Sequence, residues 1–151
     1  RARTRKQELT ETRIYGSDQS SEAISLARSN LRAIGMDRSV ELNQANVLET
    51  SPPGPSGLIV TNPPYGVRMD EEQRLAEFYL KLGDVLKKKY SGWTAHIFTA
   101  DLRLPKLIRL NASKRTPLFN GALDCRVFEI KLVEGTNRKL RKPPHSNEGS
   151  N

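Results

Sequence analysis

Asn62-Pro63-Pro64-Tyr65 places an amide, two conformationally restricted residues and an aromatic ring directly after the apolar run Leu58-Ile59-Val60-Thr61. These residue types suit methylation of an exocyclic amine on a nucleobase. Such a nitrogen is a poor nucleophile because its lone pair is delocalised into the ring. Two acceptors, the Asn62 side-chain oxygen and the Pro63 carbonyl, can hold its two N–H groups. They would aim the lone pair at an electrophilic methyl and stabilise the positive charge that develops on nitrogen. No strong base is required, because the proton becomes acidic as the new bond forms. Tyr65 can stack on the base, and the prolines keep the acceptors aimed. The plainer reading is a rigid strand exit in which Asn62 caps its own turn.

Two further polar residues stand where strands should end. Asp18 follows Ile14-Tyr15-Gly16-Ser17, just before a helical pattern. A carboxylate there can bind both hydroxyls of a nucleoside ribose, or it can serve as a helix N-cap. Asn46 ends the next strand region and can meet an adenine amine through its oxygen, or it can be an ordinary loop residue. Asp18, Asn46 and Asn62 at the ends of three successive strands are expected to share one edge of a sheet.

The elements that must position them follow from periodicity. Arg13 to Asp18 reads as a strand running into a turn. Ile24, Ala27, Leu31 and Ile34 recur at helical spacing, and Gly35 supplies a stop. Val40 to Val47 reads as a second strand and Ser51-Pro52-Pro53-Gly54-Pro55 as a loop. Leu58 to Thr61 is apolar enough to be a central, buried strand of a parallel sheet. Leu75, Phe78, Tyr79, Leu82, Val85 and Leu86 mark one face of a long helix. Thr94 to Thr99 is a fourth strand, Pro105 to Leu110 a short helix with proline in its first turn, and a strand pair closing with Arg126 to Val133 turns at Asn120-Gly121. The alternation predicts an α/β fold with a mostly parallel sheet and an antiparallel C-terminal pair. Residues 1–135 are expected to form one domain. Residues 136–151, polar and without an apolar period, are expected to be a disordered basic tail.

Composition narrows the classes. The 151 residues are 36% hydrophobic and 28% charged, a globular balance. The single cysteine, Cys125, excludes an internal disulfide. With only His96 and His145 beside it, a zinc-ribbon site is excluded too. No apolar run is of membrane-helix length, and a reducing, cytoplasmic location is expected. The formal charge of +8 suits an acidic partner such as RNA. Much of it sits at the ends, where Arg1, Arg3, Arg5 and Lys6 face only Glu8, and Arg138, Lys139, Arg141 and Lys142 face only Glu148. Arg68, Lys87, Lys88 and Lys89 are candidate RNA contacts on the body, although a lysine run at a helix end also complements the helix dipole.

Five stretches carry a resemblance that spans nearly the whole ordered chain: YGSDQSSEAISLARSNLRAIG, NVLET, GLIVTNPPYGVRM, FYLKLGDVLKKKYSGWTAHIFTAD and NGALDCRVFEIKLVEGTNRK. The sequence resembles the class I S-adenosylmethionine-dependent methyltransferases. Within them it is similar to the bacterial large-subunit ribosomal RNA guanine-N2 methyltransferases that carry a THUMP RNA-binding domain. The resemblance implies a Rossmann-like fold and S-adenosylmethionine as cofactor. It implies that Asp18 and Gln19 meet the cofactor ribose, that Asn46 and Val47 lie against its adenine, and that Asn62, Pro63, Pro64 and Tyr65 transfer the methyl group. It implies RNA as partner and no metal. Members of that family usually carry an acidic residue where Asn46 stands, and often Glu where Val67 stands. Their fold also needs a first strand and a Gly-rich loop. No G-x-G occurs here, so these, with the THUMP domain, are expected in an N-terminal portion of the same protein.

Two readings remain open at this stage. The chain is part of an RNA amino-methyltransferase, or a non-catalytic RNA-binding or assembly module that kept the motif. A nucleotide-dependent dehydrogenase would also want Asp18, but it has no use for the Asn-Pro-Pro-Tyr run.

Overall fold

The computed structural model of the chain describes residues 13–64 and 69–134. Arg1–Pro52 and Pro53–Asn151 form two compact units, divided within the predicted proline-rich loop.

The first unit holds strand β1 (Ile14–Asp18), helix α1 (Ser21–Ala33) and strand β2 (Val40–Gln44). β1 and β2 pair in parallel, with Ile14 opposite Val40 and Asp18 opposite Gln44. The N-cap of α1 is Ser20, whose Oγ accepts from Ala23 N at 3.2 Å. Glu22 in the first turn and Arg32 in the last complement the helix dipole. Gly35 ends the helix in the left-handed region, at φ 68°. This lets Gly35 N–H reach Arg32 O at 3.0 Å and Met36 N–H reach Leu31 O at 2.8 Å, the paired bonds of a Schellman stop.

The second unit holds β3 (Gly57–Thr61), α2 (Met69–Lys89), β4 (Trp93–Thr99), α3 (Leu104–Ile108), β5 (Lys114–Asn120) and β6 (Leu123–Lys131). Its four strands lie in the order β3-β4-β6-β5. β3 and β4 are parallel, and the β4–β6 and β5–β6 pairings are antiparallel, so the sheet is mixed. Along β4, Trp93, Ala95, Ile97 and Thr99 are buried and alternate with half-buried Thr94, His96 and Phe98, as a period of two requires. Tyr79, Leu82 and Leu86 supply the buried stripe of α2. Gly83 lies beside that stripe, where α2 meets the end of α3. A Cβ there would stand 2.0 Å from the Ile108 carbonyl oxygen, so the two helices approach through a missing side chain. The Trp93 indole N–H donates to Gly54 O at 3.0 Å and ties the proline-rich loop to β4.

The second strand is shorter than expected, ending at Gln44, because Asn46 starts a turn of its own. The larger difference is β3. Among the described residues it stands at the edge of its sheet, with Leu58 69% and Val60 81% exposed, where the sequence reads as internal and buried. An apolar run reads as a two-sided buried strand whether or not its covering elements are among the described residues. Residues 136–151 lie outside those residues.

Candidate active site

β3 delivers Asn62 to the carboxyl end of the sheet. Asn62 is exposed, Pro63 is buried and Pro64 is exposed. The side chain of Asn62 makes no hydrogen bond among the described residues. The reason is local. An Asx turn needs the N–H of the residue two further on, and Pro64 has none. Pro64 therefore cannot close an Asx turn onto Asn62.

Neither Pro63 nor Pro64 brings a backbone donor. A donor comes from α2 instead. The hydroxyl of fully buried Tyr79 donates to Pro64 O at 3.1 Å. Thr99, the last residue of β4 and fully buried, acts on the same phenol and lowers its pKa. Thr99 Oγ1 in turn accepts from Asp101 N at 3.0 Å. Asp101 takes Arg103 through its backbone N–H at 2.9 Å and its guanidinium at 3.0 Å, and Arg103 also pairs with Glu72 on α2. The Arg103 hydrogen bond holds the Asp101 carboxyl below the usual range. Burial pushes the Tyr79 phenol up, partly offset by Thr99. The carboxyl ends of β3 and β4 and the middle of α2 thus meet around the prolines.

In the first unit, Asp18 is the last residue of β1, and its carbonyl accepts from Ala45 N at 2.9 Å. Its carboxylate is exposed, and Oδ1 accepts from Ser20 N at 2.8 Å. Ser20, not Asp18, caps the helix, so Oδ2 is left without a partner among the described residues. Gln19 is exposed, and its carbonyl accepts from Gln44 Nε2 at 3.0 Å. Asn46 Oδ1 accepts from Leu48 N at 3.0 Å. The oxygen expected to meet an adenine amine therefore already serves a turn, with one lone pair remaining. Val47, 39% exposed, follows it. Asp18 and Asn46 stand together at the carboxyl ends of paired parallel strands.

Residues 1–129 match the RMKL-like methyltransferase domain family. The chain belongs to that family. The ribosomal RNA large subunit methyltransferase K/L of Shewanella oneidensis is 39% identical over 133 residues, 88% of this chain and 19% of that protein. Its namesake in Shewanella loihica is 35% identical over 130 residues, 86% of this chain and 18% of that protein. The chain thus spans about a fifth of the length of these relatives. Among solved structures, a methylase of Clostridium difficile 630 superposes with a TM-score of 0.75 at 27% identity, covering 84% of this chain and 34% of that one. A methyltransferase crystallised with SAH superposes at 0.74 and 24% identity, covering 82% and 32%, and shares the fold. The Rossmann-like class I architecture is therefore that of this RMKL-like domain.

Tyr65 and Arg68 lie outside the described residues. Lys87, Lys88 and Lys89 occupy the last turn of α2, where they complement its dipole. Thr99, Asp101 and Arg103 did not stand out in the sequence, and Tyr79 stood out only as core. A signal was present in Tyr79 itself. A tyrosine on a leucine-rich buried stripe must find a partner for its hydroxyl. Among the described residues, no three His, Cys, Asp or Glu side chains gather to hold a metal ion, and no helix is long and apolar enough to cross a membrane.

Proposed function

We propose that this RMKL-like domain is part of an S-adenosylmethionine-dependent RNA methyltransferase that methylates an exocyclic base amine, guanine N2 of large-subunit ribosomal RNA. The observation that carries the reading is Asn62 at the carboxyl end of β3, whose side chain makes no hydrogen bond among the described residues and cannot close an Asx turn onto Pro64. The names of the relatives support ribosomal RNA, and the SAH-bound neighbour supports the cofactor.

The residues present fit the cofactor. The unpaired oxygen of the Asp18 carboxylate would accept from ribose hydroxyls, with Gln19 beside it. Asn46 and exposed Val47 would border adenine. When bound, S-adenosylmethionine supplies an electrophilic methyl. Asn62 Oδ1 and the Pro63 carbonyl hold the two N–H groups of the amine and turn its lone pair outward. As nitrogen becomes cationic, both acceptors strengthen their hold, and one proton leaves to solvent. Tyr65 supplies the ring on which an unstacked base rests.

The open edge of β3 supports a further part of this reading. Exposed Leu58 and Val60 suit a neighbouring strand and its cover, supplied by an N-terminal portion of the same protein. A Gly-rich turn in that N-terminal portion would then approach the methionine end of the cofactor. A cytoplasmic location accords with a ribosomal RNA substrate.

The test uses the full-length protein. Asn62→Ala is expected to lower turnover far more than RNA affinity, because that oxygen acts chiefly as charge develops. Equal losses of both would make Asn62 an RNA-binding residue and overturn its catalytic role.

A further inference from the structure

We propose that Tyr79 is a positioning residue for methyl transfer, holding the Asn62–Pro64 strand exit through the Pro64 carbonyl. This inference rests on the reading of that loop as the methyl-transfer motif.

A phenylalanine would fill the same buried space on α2 at less cost in polar burial. The hydroxyl therefore has to be justified by what it touches. It donates to Pro64 O, 15 residues earlier, at 3.1 Å. Pro63 and Pro64 bring no N–H of their own, and the donor that holds the Pro64 carbonyl comes from α2. Proline φ is nearly fixed, so holding the Pro64 carbonyl also constrains the direction in which Asn62 and the Pro63 carbonyl face. The Asp101 N–H donates to Thr99 Oγ1 at 3.0 Å, and Thr99 in turn lowers the pKa of the Tyr79 phenol against the effect of burial. Buried Thr99 at the end of β4 and buried Tyr79 on α2 each make a hydrogen bond, Thr99 accepting from Asp101 N–H and Tyr79 donating to Pro64 O, as buried polar groups require.

The discriminating experiment uses the full-length protein with ribosomal RNA as substrate and measures kcat, the KM for S-adenosylmethionine, RNA affinity and melting temperature. Tyr79→Phe is expected to lower kcat by about ten- to a hundred-fold, the range for a displaced reacting group, with KM and RNA affinity unchanged. Thr99→Val should lower kcat in the same direction by less, and Thr99→Ser should restore it. A wild-type kcat in Tyr79→Phe overturns the proposal. So does a loss that appears as raised KM and lowered melting temperature in proportion, which is the mark of a purely structural residue. If Tyr79→Phe does not fold, the Thr99 pair decides, and equal kcat in Thr99→Val and Thr99→Ser overturns the proposal. Asn62→Ala separates the two levels. Full turnover in that variant ends the motif reading itself, whereas loss there with wild-type kcat in Tyr79→Phe ends only the role of Tyr79.

Discussion

The Pro64 carbonyl oxygen lies 3.1 Å from the Tyr79 hydroxyl, so a loop with two adjacent prolines hangs from the middle of a long helix. The bond exists only while the phenol keeps its proton, which gives the molecule an alkaline limit.

Burial raises the Tyr79 phenol above its ordinary value of 10.0. The folded state therefore favours the neutral form. The stability this contributes is complete below the unfolded value and is lost as pH rises toward the folded one. Wild-type protein should lose melting temperature faster than Tyr79→Phe from about pH 9.5 upward. Parallel alkaline profiles in the two proteins would show that the phenol does not ionise on unfolding.

Asp101 gives the opposite limit. Its carboxyl is held below the usual range, first by the Arg103 hydrogen bond. The stability from that pairing is present above the unfolded value, 3.8, and is lost as pH falls through the folded one. Arg103 is 55% exposed, so water screens the pair and its contribution is small. Asp101→Asn should be slightly less stable than wild type at neutral pH, and the two should converge in acid. Denaturant midpoints at pH 7 and pH 3 measure it, and a constant difference between the two pH values would contradict the assignment.

Much of this architecture is legible in the sequence, because its determinants are local. Gly35 ends α1 through a positive φ, Pro105 falls in the first turn of α3, and the Leu75-to-Leu86 stripe marks α2. The strand-end positions of Asp18 and Asn62 follow from the same reasoning. What was not legible depends on partners distant in the chain. Leu58-Ile59-Val60 looks central by composition, yet among the described residues β3 is an edge strand, because a strand's neighbours are not written in its own composition. Asn46 looked like a strand end, but its oxygen closes a turn onto Leu48. The Tyr79–Pro64 bond joins residues that no periodicity relates.

Asp18 tests the cofactor part of the account. In the full-length protein, Asp18→Ala should weaken S-adenosylmethionine binding by about 1.5–3 kcal/mol, the worth of a charge-assisted hydrogen bond. Asp18→Asn keeps an acceptor for Ser20 N–H and loses the charge. It should fall between wild type and alanine. Calorimetry showing unchanged affinity in both variants would leave Asp18 only its turn onto Ser20.

Gly83 tests the packing that carries Tyr79. Alanine is the better helix former by about 1 kcal/mol, so a solvent-facing Gly83→Ala would stabilise α2. Here the new Cβ would meet Ile108 O at 2.0 Å, and moving backbone is costly. A net loss of about 1–3 kcal/mol is expected, as for other overpacked sites. Chemical denaturation measures it, and a stabilised variant would show that α2 and α3 are not in close contact.

The central claim is methyl transfer to an exocyclic amine of ribosomal RNA. The most direct measurement is mass spectrometry of nucleosides from unmodified large-subunit RNA incubated with the full-length protein and S-adenosylmethionine. The account predicts N2-methylguanosine, absent when Asn62 is replaced by alanine. Methyladenosine or methylcytidine carrying the methyl on the exocyclic nitrogen would correct the base and keep the mechanism. A methyl group on a ring carbon or a ribose oxygen, with every exocyclic amine unmodified, would contradict the account.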